Sequence, residues 1–226
     1  MRYFIIPFLS VLVSFAFAQD LYETSREDSV ECVTYTSLYY AFFKKRDYSK
    51  ALKHWRRCAR NCPASSQAIY QHGSIMYQWY VKNTRFDTVL SHKYLDTLLS
   101  VLDGQIKYFG DEAHLLGVKG VYILEYNETQ AERACRFLKQ AYELQGINAE
   151  SHVMEGLIKC AVLRYQQEFD SERKENLKVE IRRLYNELSG VCQTNILKHG
   201  NGDARKEDRY RQCAKTLFEI ASPYLE

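Results

Sequence analysis

The chain has 226 residues, with 31 Lys and Arg against 28 Asp and Glu, and 46% of its residues are hydrophobic. That length supports one large domain or a short repeat array with a real core. A formal charge of +3 is too near neutral to mark a nucleic-acid or anionic-lipid surface.

Residues 1–18 read as a signal peptide. Met1 and Arg2 precede an apolar run over 3–15, and Ala16-Phe17-Ala18 is a small-x-small cleavage pattern. The run is shorter than the ~20 residues a bilayer span needs, and no later stretch qualifies, so no membrane span is expected after cleavage. Residues 19–27 form a polar leader. The first helix is predicted over about 28–46, with Asp28 or Ser29 as its N-cap. A turn at Arg46-Asp47 leads to a second helix over 48–61, which Pro63 ends. A third runs from the residues after Ser65 to Lys82, and a fourth over 87–108, where Val89, Leu90, Leu95, Leu98, Leu99, Leu102 and Ile106 form a helical stripe. Gly110-Asp111 ends it. Helices over 112–126, 129–144 and 149–165 follow. An eighth starts near Ser171 and reaches about Thr194. Lys198 to Asp203 is the clearest loop, before a last helix over 204–220 and a tail at 221–226. No run alternates as a strand does, so the expected fold class is all-α.

The first hairpin carries a specific pattern. Tyr35, Leu38, Tyr39 and Phe42, then Ala51, Trp55, Cys58 and Pro63, with Tyr48 at the turn, match the large, small and ring positions of a tetratricopeptide (TPR) repeat. A longer period lies behind it. A shift of 83 residues superimposes Tyr39 on Tyr122, Ala51 on Ala134, Trp55 on Leu138, Cys58 on Ala141 and Gly73 on Gly156. It also superimposes Phe86-Asp87-Thr88 on Phe169-Asp170-Ser171. The expected architecture is a TPR-like helical-hairpin solenoid over 28–220, of about nine helices. Two four-helix units, about 28–110 and 111–194, precede a polar capping helix over 204–220.

Two strings, 51–73 (ALKHWRRCARNCPASSQAIYQHG) and 106–120 (IKYFGDEAHLLGVKG), resemble exported TPR proteins of Bacteroidetes bacteria over the central half of the chain. The resemblance implies a helical periplasmic or surface-exposed repeat protein concerned with assembly or partner binding. It carries over no catalytic residues.

All seven cysteines follow residue 18. Export would place them where disulfides persist. Hairpin geometry favours pairing Cys32 with Cys62, Cys135 with Cys160, and Cys192 with Cys213. Cys58 is then left over, Cys32–Cys58 competes, and reduced, buried thiols are the alternative at each pair.

In a TPR array the first helix of each hairpin lines the concave face. Removing core positions leaves Tyr40, Phe43, Lys44, Tyr70, Gln71, Tyr77, Gln78, Lys119, Tyr126 and Asn127 as partner-binding candidates. Tyrosine suits such a surface because it buries a ring and keeps a hydroxyl for a hydrogen bond, and inter-helix packing is the competing role for each ring. None of the six histidines stands at metal-site spacing from another His or a carboxylate, and Cys58 with Cys62 would need two further ligands, so no metal is expected. No nucleophile elbow, phosphate loop or paired-carboxylate signature appears, so the chain reads as no enzyme, with no cofactor and no small-molecule substrate. The function read from these features is a non-catalytic exported scaffold or adaptor that binds protein or peptide partners, in the periplasm first, at the cell surface or secreted otherwise. A glycan- or peptidoglycan-binding envelope component is the alternative.

Overall fold

The alternation of small and large residues on the second predicted helix fixes how the first hairpin packs. The structure, a computed structural model, describes residues 30–200 and 202–225. The expected signal peptide (1–18), leader (19–27) and first-helix cap (Asp28 or Ser29) lie outside them. Among the described residues all regular structure is helical. The helices are α1 (residues 30–44), α2 (Tyr48–Asn61), α3 (Gln67–Asn83), α4 (Thr88–Phe109), α5 (Glu112–Tyr126), α6 (Ala131–Gln145), α7 (Ser151–Gln167), α8 (Ser171–His199) and α9 (Ala204–Ala221). Short 3₁₀ turns cover Glu128–Gln130, Gly146–Asn148 and Ser222–Tyr224. The fold is a TPR-like array of helical hairpins, and among the described residues no helix is long and apolar enough to cross a membrane.

The helix boundaries have local causes. Asp47, Asp87, Asp170 and Asp203 each accept a hydrogen bond from the backbone N–H three residues on, and α2, α4, α8 and α9 begin there. Gly110, at φ 78°, and Asp111, at φ 63°, turn the chain between α4 and α5 through the left-handed region. Asn and Asp are the non-glycine residues that tolerate that region best. α8 runs to His199, five residues past the expected end. Nothing in ELSGVCQTNILKH breaks a helix, and Val191, Cys192 and Asn195 keep the last turns packed.

The chain separates into two compact units, residues 1–76 and 77–226, with the division inside α3. The 110/111 boundary expected from the 83-residue period does not coincide with it. In the first unit, Ala51, Leu52, Trp55 and Cys58 form the buried stripe of α2. The Trp55 ring lies over Gly73, and its Nε1 donates to the Ile69 carbonyl at 2.6 Å. Cys32 and Cys62 are joined by a disulfide with Cα atoms 5.8 Å apart, closing a loop that a chain-entropy model values at about 3–4 kcal/mol.

In the second unit α4 packs on α5, α5 on α6 and α7, and α7 on α8 and α9. The helices α5, α7 and α9 thus form one row, with α6 and α8 behind it. Leu138 of α6 is fully buried and seated between Gly120 of α5 and Gly156 of α7. Leu138 and Gly156 stand 83 residues after Trp55 and Gly73, and the same large-against-glycine contact recurs. Asp87 and Asp170 likewise cap α4 and α8 at equivalent positions. A second disulfide joins Cys135 to Cys160, Cα to Cα 5.7 Å.

Candidate functional site

The ten partner-binding candidates divide by burial. In the first unit Tyr40 is 42% exposed, and Lys44 and Gln71 are exposed. Half-buried Phe43 and Tyr40 both lie against the His72 ring, with centroids 4.2 and 5.4 Å away. Lys44 Nζ stands 5.0 Å from the Tyr40 centroid. Tyr70, by contrast, is interior, and its hydroxyl donates to the Pro63 carbonyl at 3.0 Å.

In the second unit Tyr77, Lys119 and Asn127 are buried. The Lys119 ammonium pairs with Asp103 at 2.6 Å and lies over the Phe137 ring. Gln78 and Tyr126 are half-buried, and Gln78 Nε2 donates to the Tyr122 hydroxyl at 2.6 Å. Four of the ten, Tyr70, Tyr77, Lys119 and Asn127, are therefore buried, two of them the rings for which packing was the competing role. On α3 the buried arc takes in Ile69, Tyr70, Gly73, Ser74, Met76 and Tyr77, wider than a single narrow apolar stripe.

The open concavity of the second unit lies along the row α5, α7, α9. A cavity of about 480 Å³ there has Val121, Leu124, Val162, Leu163 and Ile220 on its apolar walls. Glu125, Glu128 and Glu155 stand around it with Lys159. Burial pushes the Glu155 carboxyl up from its usual range, with Lys159 opposing. None of these apolar wall residues was singled out by the tyrosine argument.

At one end of that cavity the first turns of α5 and α7 meet. His114 lies in the first turn of α5, Glu150 is the N-cap of α7, and His152 follows in its first turn. His114 Nδ1 is 2.9 Å from Glu150 Oε2, His152 Nε2 is 3.8 Å from the same oxygen, and all three ligand-type atoms lie within 4.8 Å of one another. Gln145 fixes the carboxylate twice: its Nε2 donates to Glu150 Oε2 at 2.9 Å and its Oε1 accepts from the Glu150 N–H at 2.8 Å. His152 Nε2 is buried without a hydrogen-bond partner. Burial holds the His152 pKa below the usual imidazole value; Glu150 opposes this and His114 adds to it. His152 also borders a second cavity of about 320 Å³, where Lys198, His199, Lys206 and Arg209 converge from α8 and α9.

The cluster joins residues from two different helices, so spacing within a single helix does not disclose it. His114 and Glu150 are 36 residues apart, close to the ~34-residue TPR period. Two polar residues at successive first-helix starts, one period apart, were the available signal.

Cys192 and Cys213, expected as a pair, are buried thiols in hydrogen-bonding contact with each other. Cys213 Sγ also stands 3.8 Å from the Ser151 carbonyl. The interior position of both, on α8 and α9, accommodates two protonated sulfurs as small hydrophobes. Cys58 is likewise free and buried, with Sγ 3.2 Å from the Thr36 hydroxyl.

No family model and no curated protein matches the sequence. Among solved structures, the crystal structure of MamA protein is similar, at 10% identity and a TM-score of 0.42, over 85% of this chain and 92% of that one.

Proposed function

We propose that the chain is a non-catalytic scaffold that binds protein segments, exported to the oxidising space of a bacterial envelope. The observation that carries the binding reading is the α5–α7–α9 concavity. Its apolar walls can bury an aliphatic or aromatic anchor, and the surplus of Glu125, Glu128 and Glu155 over Lys159 favours basic neighbours on the partner. Export is supported by the signal-like residues 1–18 and by the Cys32–Cys62 and Cys135–Cys160 disulfides. Peptide-display selection on the purified protein tests the proposal. Enriched peptides should pair an apolar anchor with Lys or Arg and should lose binding to the Leu124→Glu variant. Enrichment of acidic peptides, or binding indifferent to Leu124→Glu, would refute the assignment of the groove.

A further inference from the structure

The three side chains at the starts of α5 and α7 converge as a set of nitrogen and oxygen donors. We propose that His114 Nδ1, Glu150 Oε2 and His152 Nε2 bind a divalent first-row transition ion, zinc foremost, in a site with one coordination position left open. Two imidazoles and a carboxylate are a ligand set that zinc accepts, whereas calcium and magnesium take oxygen almost exclusively. Zinc–nitrogen and zinc–oxygen bonds of about 2.0–2.2 Å place tetrahedral donors about 3.3–3.6 Å apart. The observed 2.9 and 3.8 Å separations from Glu150 Oε2 straddle that value, and all three donor atoms lie within 4.8 Å of one another, so side-chain rotation on the order of 1 Å would close the site.

Three further observations point the same way. His152 Nε2 is aimed into the cluster and has no hydrogen-bond partner, so a metal would satisfy a buried nitrogen that nothing else does. Gln145 grips Glu150 from both its side chain and its N–H, the support that outer residues give to metal-binding carboxylates. The backbone between Glu150 and His152 is the start of a helix, so both ligands are placed by rigid structure. On binding, the ion displaces the proton shared between His114 and Glu150, and each imidazole ligates in its neutral form. Glu150 and His152 also line the cavity where Lys198, Lys206 and Arg209 converge, which favours a carboxylate or another anion as fourth ligand.

The test is calorimetric titration of the chelator-stripped, disulfide-intact protein with Zn²⁺ alone, repeated with Co²⁺ under visible spectroscopy. The expected result is one ion per chain and a cobalt spectrum of nitrogen and oxygen ligation, without the intense thiolate charge-transfer band. His114→Asn and His152→Asn should each weaken binding by more than about tenfold, and Gln145→Ala by about tenfold. His92→Ala, on α4 and away from the cluster, should leave it unchanged. Far-UV circular dichroism identifies any variant that fails to fold, and the remaining histidine variant then decides. Absence of stoichiometric binding, affinity unchanged in a folded histidine variant, or a thiolate band would each overturn the site.

Discussion

Replacing Gly156 by Ala should destabilise the protein, although Gly→Ala inside a helix ordinarily does the opposite. Intrinsic helix preference favours alanine by about 1 kcal/mol. Against this, a Cβ on Gly156 would lie 2.8 and 2.9 Å from the two methyl carbons of Leu138, inside ordinary contact distance. Leu138 cannot retreat, because Gly120 of α5 closes its other side and the side chain is fully buried. Overpacking of this kind typically costs about 1–3 kcal/mol, so the net loss is on the order of 1 kcal/mol. Leu138→Ala alone should cost about 2–5 kcal/mol through the cavity it leaves. In that background the new methyl has space, and Gly156→Ala should then stabilise by about 1 kcal/mol. The coupling between the two sites is thus about 2 kcal/mol, well above the few tenths seen between independent positions. Urea denaturation of the four proteins, followed by circular dichroism with the disulfides intact, measures it. A stabilising Gly156→Ala in the parent, or a coupling under about 0.5 kcal/mol, would refute the reasoning.

Asp103→Asn should destabilise more than Lys119→Met. The first strands an ammonium only 5% exposed, at about 1–2 kcal/mol after discounting for the solvent around Asp103, whereas the second leaves a carboxylate already 58% exposed; chemical denaturation ranks the two. Burial foremost, then Cys58 and Tyr40, pushes the Tyr39 hydroxyl up to about 12. A folded pKa above the unfolded value of about 10 means that the neutral phenol's stabilisation is complete below that pH and is lost as pH rises through the folded value. Denaturation midpoints should therefore fall between these limits, and less steeply in Tyr39→Phe; an equal fall in the variant would show that Tyr39 is not the source. Alkylating the denatured, unreduced protein should add three labels, at Cys58, Cys192 and Cys213, and mass spectrometry finding only one would mean that Cys192 and Cys213 are also bonded.

The fold was legible in the sequence where a single residue type had to meet a single space. Trp55, Leu138, Gly73 and Gly156 are recognisable because bulk on one helix demands its absence on the next, and that demand survives at a fixed offset. Surfaces were less legible. Tyr70 and Tyr77 carry amphipathic side chains that serve a core as readily as a groove, and only the tertiary packing around each ring decides between them. The end of α8 was misplaced because a polar stretch with no breaker can stay helical when another helix supports it. The His114, Glu150 and His152 cluster lay beyond any local pattern, since its geometry exists only once two first helices lie side by side.

The glycine pockets also govern whether the two copies of the 83-residue period are interchangeable. Trp55 meets one glycine, and the position equivalent to Gly120 in its own copy is Ser37. Leu138 meets two. A chimera carrying α2 in place of α6 would drive an indole into a slot sized for an isobutyl group, and the reverse exchange would leave a void where a ring had been. Each copy has thus become private to its own place in the chain: recombination between them is barred by side-chain volume, and any lengthening of the array would have to copy a helix together with the neighbours that fit it.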